Sequence, residues 1–214
     1  MQMDKVILRA ILSTLAAIGV LLAIMALACA FLFPSTLMTL SYNLGMEKSA
    51  VRYAERAYKR DGGAYYVACA FEISVGEGKD ADIEKFGEEL IQNAEFSDYC
   101  KKIDEDAPET VTGSYAQYVY GNTYAAEYRN AKTAEEKIAA FDKAFACVEG
   151  FPQNNAVVKV LLSALRRGDL TSADYALNGM LALRVNGASL LSDADKQTLD
   201  EIISLAQRYV DGGE

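Results

Sequence analysis

The sequence predicts an all-α protein: one N-terminal transmembrane helix, then a stack of helical hairpins. Three observations carry this. A run from Ala10 to Phe33 holds no charged residue. From Pro34 onward, stretches with apolar residues at helical spacing alternate with short breakers. No segment shows sustained apolar/polar alternation bounded by hairpin turns, the mark of strands.

The apolar run is 24 residues long, and its only side-chain hydroxyls are Ser13 and Thr14. As a helix it reaches about 36 Å, enough to cross a hydrocarbon core of about 30 Å with some tilt. Two shorter readings compete. Lys5 and Arg9 with Ala28-Cys29-Ala30 resemble a cleavable signal peptide, and Ala26-Leu27-Ala28-Cys29 resembles a bacterial lipoprotein box. Both end too early, because the run continues through Phe31, Leu32 and Phe33. An uncleaved signal anchor over 10–33 explains its length. The expected organisation is a short cytoplasmic segment 1–9, a single-pass anchor 10–33, and a soluble domain 34–214. Orientation follows from charge: Lys5 and Arg9 precede the run, and no charge follows it until Glu47. That places the N-terminus in the cytoplasm and the domain outside. Gly19, Ala23, Ala26 and Ala30 form a small-residue stripe through which two anchors could self-associate.

Beyond residue 33 the chain carries 19 basic and 29 acidic residues, a net charge of −10. Such a domain has no charge-driven affinity for nucleic acid or for an anionic membrane surface. The chain has no histidine, so the commonest general base and metal ligand is missing. Cys69, Cys100 and Cys147 are widely spaced and odd in number, which reads as free buried thiols; one disulfide among them is the other reading.

The helical stretches fall at 35–45, 47–60, 63–75, 80–93, 96–104, 112–130, 134–149, 153–167, 171–184 and 192–210. Thr133 and Glu136 form a capping box, with weaker versions at Thr171/Asp174 and Ser192/Asp195. Glycines mark the stops at 62–63, 76, 78, 150 and 168. The last stretch holds Leu199, Ile202, Ile203, Leu205 and Ala206 on one side, as a helix closing an array would.

Gly45, Ala50, Val51, Tyr53 and Ala57 fall at the spacing of the second helix of a tetratricopeptide repeat. Gly168, Ala173 and Ala176 repeat that spacing, with Met180 where the last alanine would fall. Tyr120-Gly121-x-x-Tyr124 resembles a first helix, and Ile138, Phe141 and Ala144 resemble a second. The segment 63–111 fits the pattern poorly. The resemblance implies an α-solenoid of hairpins with a concave protein-binding groove.

The stretch 112–130 has two faces. Gln117, Tyr120, Gly121, Tyr124 and Tyr128 form one, which the resemblance makes the packing face. Tyr115, Tyr118, Asn122, Ala125 and Arg129 form the other, which the resemblance turns toward the groove. Tyr115, Tyr118, Asn122 and Arg129 are therefore the candidate partner-binding residues. Glu72 is the only charge between Ala64 and Val75. A carboxylate there either pairs with a nearby cation or serves as an acid or base. Catalytic motifs, metal clusters and phosphate loops are absent from the sequence, so neither metal nor cofactor is expected. The expected function is a membrane-anchored scaffold or adaptor for protein partners, not an enzyme. The rivals are an extracytoplasmic carboxylate-based hydrolase and a small accessory subunit of a membrane complex.

Overall fold

The protein is seen in a computed structural model that describes residues 2–108, 114–151, 155–186 and 191–211, with the side chains of 2–10, 26, 29 and 30 outside the description. Eleven helices and no strand occur among the described residues. They divide between two compact units, Met1–Gly62 and Gly63–Glu214.

The first unit holds α1 (Gln2–Leu32), α2 (Pro34–Asn43) and α3 (Glu47–Asp61). The described side chains of α1 are all exposed, Ile11, Leu12, Leu15, Ile18, Leu21, Leu22 and Ile24 among them. Among the described residues, no helix is long and apolar enough to cross a membrane. The span expected over 10–33 is thus realised as helix, but the structure does not establish it as a membrane crossing. In the small-residue stripe, Gly19 has open space around it, whereas the side chains of Ala26 and Ala30 lie outside the described residues.

Pro34 opens α2 at a position where its missing N–H costs nothing. Gly45 reverses the chain with φ +67°, a conformation open to glycine. α3 then packs back on α2. Ala50, Ala54 and Ala57 are fully buried at that contact, where small side chains let the helices approach closely.

The second unit stacks α4 (Ala64–Glu77) on α5 (Asp80–Ile91), α7 (Tyr115–Asn130) on α8 (Ala134–Ala146), and α9 (Ala156–Arg166) on α10 (Leu170–Asn186); α11 (Asp193–Val210) packs on α10. This succession of packed hairpins is compatible with a helical-repeat domain. α6 (Phe96–Asp106) stands outside the pairing and packs on α7 and α4. It falls in the segment that fits the repeat spacing poorly.

α7 is the central helix, lying between α5 and α9. Two glycines allow this. Gly87 of α5 faces the Thr123 side chain so closely that a methyl group would collide with it. Gly121 would place a methyl 2.7 Å from Lys159 Cδ and 3.3 Å from the Ala156 backbone. Buried Gln117 ties the next turns together: its amide donates to the Cys147 carbonyl and its Oε1 accepts from Ala156 N at 3.2 Å. The core continues through Tyr124, Tyr128, Phe141, Phe151, Leu161, Leu177, Met180 and Leu199.

Both Thr133/Glu136 and Ser192/Asp195 form full capping boxes. The expected cap at Thr171 is replaced: α10 begins at Leu170, and the Asp169 carboxylate accepts from Ser172 N at 3.2 Å. Asp169 takes this role because its carboxylate is already fixed by Tyr128 and Lys137, at 2.7 and 2.6 Å. On α11, Leu199 and Ala206 are buried, but Leu205 is exposed beside Leu162, so this helix closes the stack only in part.

Candidate functional site: a tyrosine patch around Glu72

α4 is apolar on nearly every side, and its buried residues are Ala64, Val67, Ala68, Ala70, Phe71, Ile73 and Ser74. Glu72 is half-buried in this setting. Its two oxygens are met by two hydroxyls from α7. Tyr115 donates to Oε1 at 2.7 Å and Tyr118 to Oε2 at 3.0 Å. Residues three apart on a helix share a face, and here their rings stack at 5.8 Å. The start of α7 is held firmly. Ser114 caps it, and Asp104 Oδ1 accepts from Tyr115 N at 2.7 Å.

More aromatic rings surround the pair. Tyr99 of α6 meets Tyr115 edge-on at 5.9 Å, and Phe71 meets Tyr118 edge-on at 6.2 Å. Lys159 of α9 lies over the Tyr118 ring, its ammonium 4.5 Å from the centroid. Cys69 and Tyr65 lie one and two turns before Glu72 on the same face of α4. Tyr65 also meets Tyr66 edge-on at 5.5 Å. Tyr65 is exposed, and Tyr66, Tyr99, Tyr115 and Tyr118 are half-buried.

The electrostatics hold the hydroxyls of Tyr65, Tyr99, Tyr115 and Tyr118 protonated. Burial, then the Glu72 charge and the bond to it, push Tyr115 and Tyr118 far above the ordinary tyrosine range. Burial, followed by Cys69 and Glu72, raises Tyr99 to about 12. Burial raises the Cys69 thiol as well. Burial lowers Lys159, and the nearby Glu72 charge opposes it. Tyr115 and Tyr118 are therefore permanent donors that fix the Glu72 carboxylate, and neither is poised to exchange protons near neutral pH.

Tyr115 and Tyr118 are thus brought together by a shared acceptor. Asn122 donates to the Tyr118 carbonyl of its own helix at 2.9 Å. Arg129 lies away from the patch, gripping Asp80 Oδ1 at 2.9 and 2.6 Å and Ser163 at 3.0 Å. Ala125 is buried. On the packing face, Gln117, Tyr124 and Tyr128 are buried, while Tyr120 is half-buried and stacks on Tyr124 at 6.1 Å. Sequence reasoning missed Tyr65, Tyr66, Tyr99 and Lys159. One signal was available, since Tyr65, Cys69 and Glu72 recur at spacings of four and three, a single helix face.

The three described thiols are free, with Cys100 buried and Cys69 and Cys147 half-buried. Among the described residues, no group of three metal-ligating side chains occurs. The chain matches no family model, no curated protein and no solved structure.

Proposed function

We propose that this chain is a membrane-tethered helical scaffold: α1 anchors it as a single-pass helix, and the second unit presents the tyrosine patch to a protein partner. The observation that carries the tether is the exposure of every described side chain of α1. A helix apolar on all sides is stable in a core or in lipid, and the described side chains of α1 meet no core. The uncharged run in the sequence continues beyond those side chains, to Phe33.

The patch suits protein recognition because tyrosines give large contact area with few rotatable bonds, and they are enriched where interfaces hold their energy. Both Glu72 oxygens are engaged by tyrosine hydroxyls, which supports a structural role for this carboxylate over the one the hydrolase rival would give it. The accessory-subunit rival shares the anchor and differs in what it contacts.

The tether is tested by alkaline carbonate extraction of membranes from expressing cells. The chain stays in the membrane pellet if the reading holds; release into the supernatant rejects it. The patch is tested by a photo-crosslinking residue in place of Tyr65, with the same residue at Glu135 of α8 as control. A discrete protein adduct at 65 and not at 135 supports the patch. Equal labelling at both, or none at either, rejects it.

A further inference from the structure

The anchor's exit carries a cuff of basic residues that sequence distance conceals. α3 runs back along α2, so its last turns return to the end of α1. Arg60 Nη1 donates to the Leu32 carbonyl at 2.8 Å, closing one of the orphan acceptors at the α1 C-terminus. A free carbonyl at that depth would be costly in lipid. The Arg56 guanidinium lies over the Phe31 ring, 5.9 Å from its centroid, and over Tyr53 at 5.7 Å. Arg52 stands one turn earlier, and Lys59 is adjacent; both are exposed. Exposed Phe31, Leu32 and Phe33 lie at the same end.

Two carboxylates temper the cuff: Glu55 accepts from Lys59 at 2.9 Å, and Asp61 accepts from Arg60 at 2.7 Å. Even so, residues 34–62 hold five basic and three acidic side chains, whereas residues 63–214 hold 14 and 26. Positive charge is thus concentrated where the apolar helix ends. Aromatic rings beside arginines that reach along them are the arrangement found at a bilayer interface.

We infer that Arg52, Arg56, Lys59 and Arg60 form a docking surface for the anionic headgroups of the membrane that α1 enters. The inference rests on the tether proposed above and names the lipid chemistry at its exit. Each basic residue held near a charged leaflet contributes favourably, and the effect is screened by salt.

The test uses the full chain, reconstituted into phosphatidylcholine nanodiscs or into an equimolar mixture of phosphatidylcholine and phosphatidylglycerol. Native mass spectrometry counts the lipids the released protein retains. From the mixture, phosphatidylglycerol should be retained at least about tenfold over phosphatidylcholine, and high salt should reduce that ratio. The variant Arg52→Gln/Arg56→Gln/Lys59→Gln should lose most of the preference; it keeps Arg60 and therefore the cap on α1. Equal retention of the two lipids by the parent overturns the inference, and so does an unchanged ratio in a variant with parental helicity. Should the variant misfold, the parent's ratio and its salt dependence decide alone. Carbonate extraction separates the two levels: a chain that resists extraction yet shows no headgroup preference keeps its tether and loses the cuff.

Discussion

The two units spend their apolar residues in opposite ways. The first carries seven basic and four acidic residues, and it exposes large apolar side chains from Ile11 to Met46. The second is net −12 and encloses Tyr128, Phe141, Phe151, Leu161 and Met180. The first unit buries mainly alanines between α2 and α3. The contrast teaches that overall hydrophobicity, 51% here, says little until it is divided into the side chains that are enclosed and those that are exposed. The second unit encloses its large apolar side chains, whereas the first leaves its own exposed and carries a net positive charge that the second lacks.

The sharpest break of that comparison is the same kind of deletion in each unit. Phe141→Ala should lower the stability of the second unit by about 3–5 kcal/mol, since it empties a fully buried aromatic site. Leu21→Ala removes a side chain that is 59% exposed. It should leave the melting curve of the detergent-solubilised chain unchanged. Thermal melts followed by circular dichroism compare the two. An equal loss from both would mean that α1 is packed against a protein core after all.

A smaller effect is expected inside the first unit. Ala57 is fully buried between α2 and α3, so Ala57→Leu should overpack the hairpin and cost about 1–3 kcal/mol. The loss should appear as faster proteolysis between α2 and α3, with the second unit left intact. Unchanged protection would mean that the hairpin contact is loose.

The helices of the fold were legible because their signals are local. The capping boxes at Thr133 and Ser192, the turn at Gly45 and the small residues at Ala50 and Ala57 each act within a few residues. What escaped was non-local. α7 reads as two-faced, yet α5 and α9 cover it on both sides, and no sequence period reports a neighbour that depends on Gly87 or Gly121. Tyr115 and Tyr118 could be singled out by residue type. Their acceptor is 43 and 46 residues away, so the role of Glu72 was not readable. Charge near the apolar run was counted along the chain, which made Arg52 to Arg60 distant. The hairpin returns Arg56 and Arg60 to the end of α1.

The finest distinction concerns charge inside the second unit, and Asp169 tests it. Its carboxylate joins three helices: it accepts from Tyr128 of α7 and Lys137 of α8, and it caps α10 through Ser172. Burial by itself would raise its pKa. The Lys137 ammonium, the Tyr128 hydroxyl and the Ser172 donors outweigh burial and hold it well below the usual carboxylate range. A depressed folded-state value stabilises the fold above the unfolded value of about 3.9, and that contribution is lost as pH falls from there toward the folded value. Asp169→Asn should therefore cost about 1–3 kcal/mol near neutral pH, as removal of a hydrogen-bonded, half-buried charge does. The gap between parent and variant should narrow as the pH is lowered below about 4, where the parent's carboxylate begins to lose its charge as well. Urea melts of both proteins across that range give the comparison directly. A gap that stays constant with pH would mean that Asp169 acts through shape and capping geometry, and that its ion pair with Lys137 adds nothing to the joint.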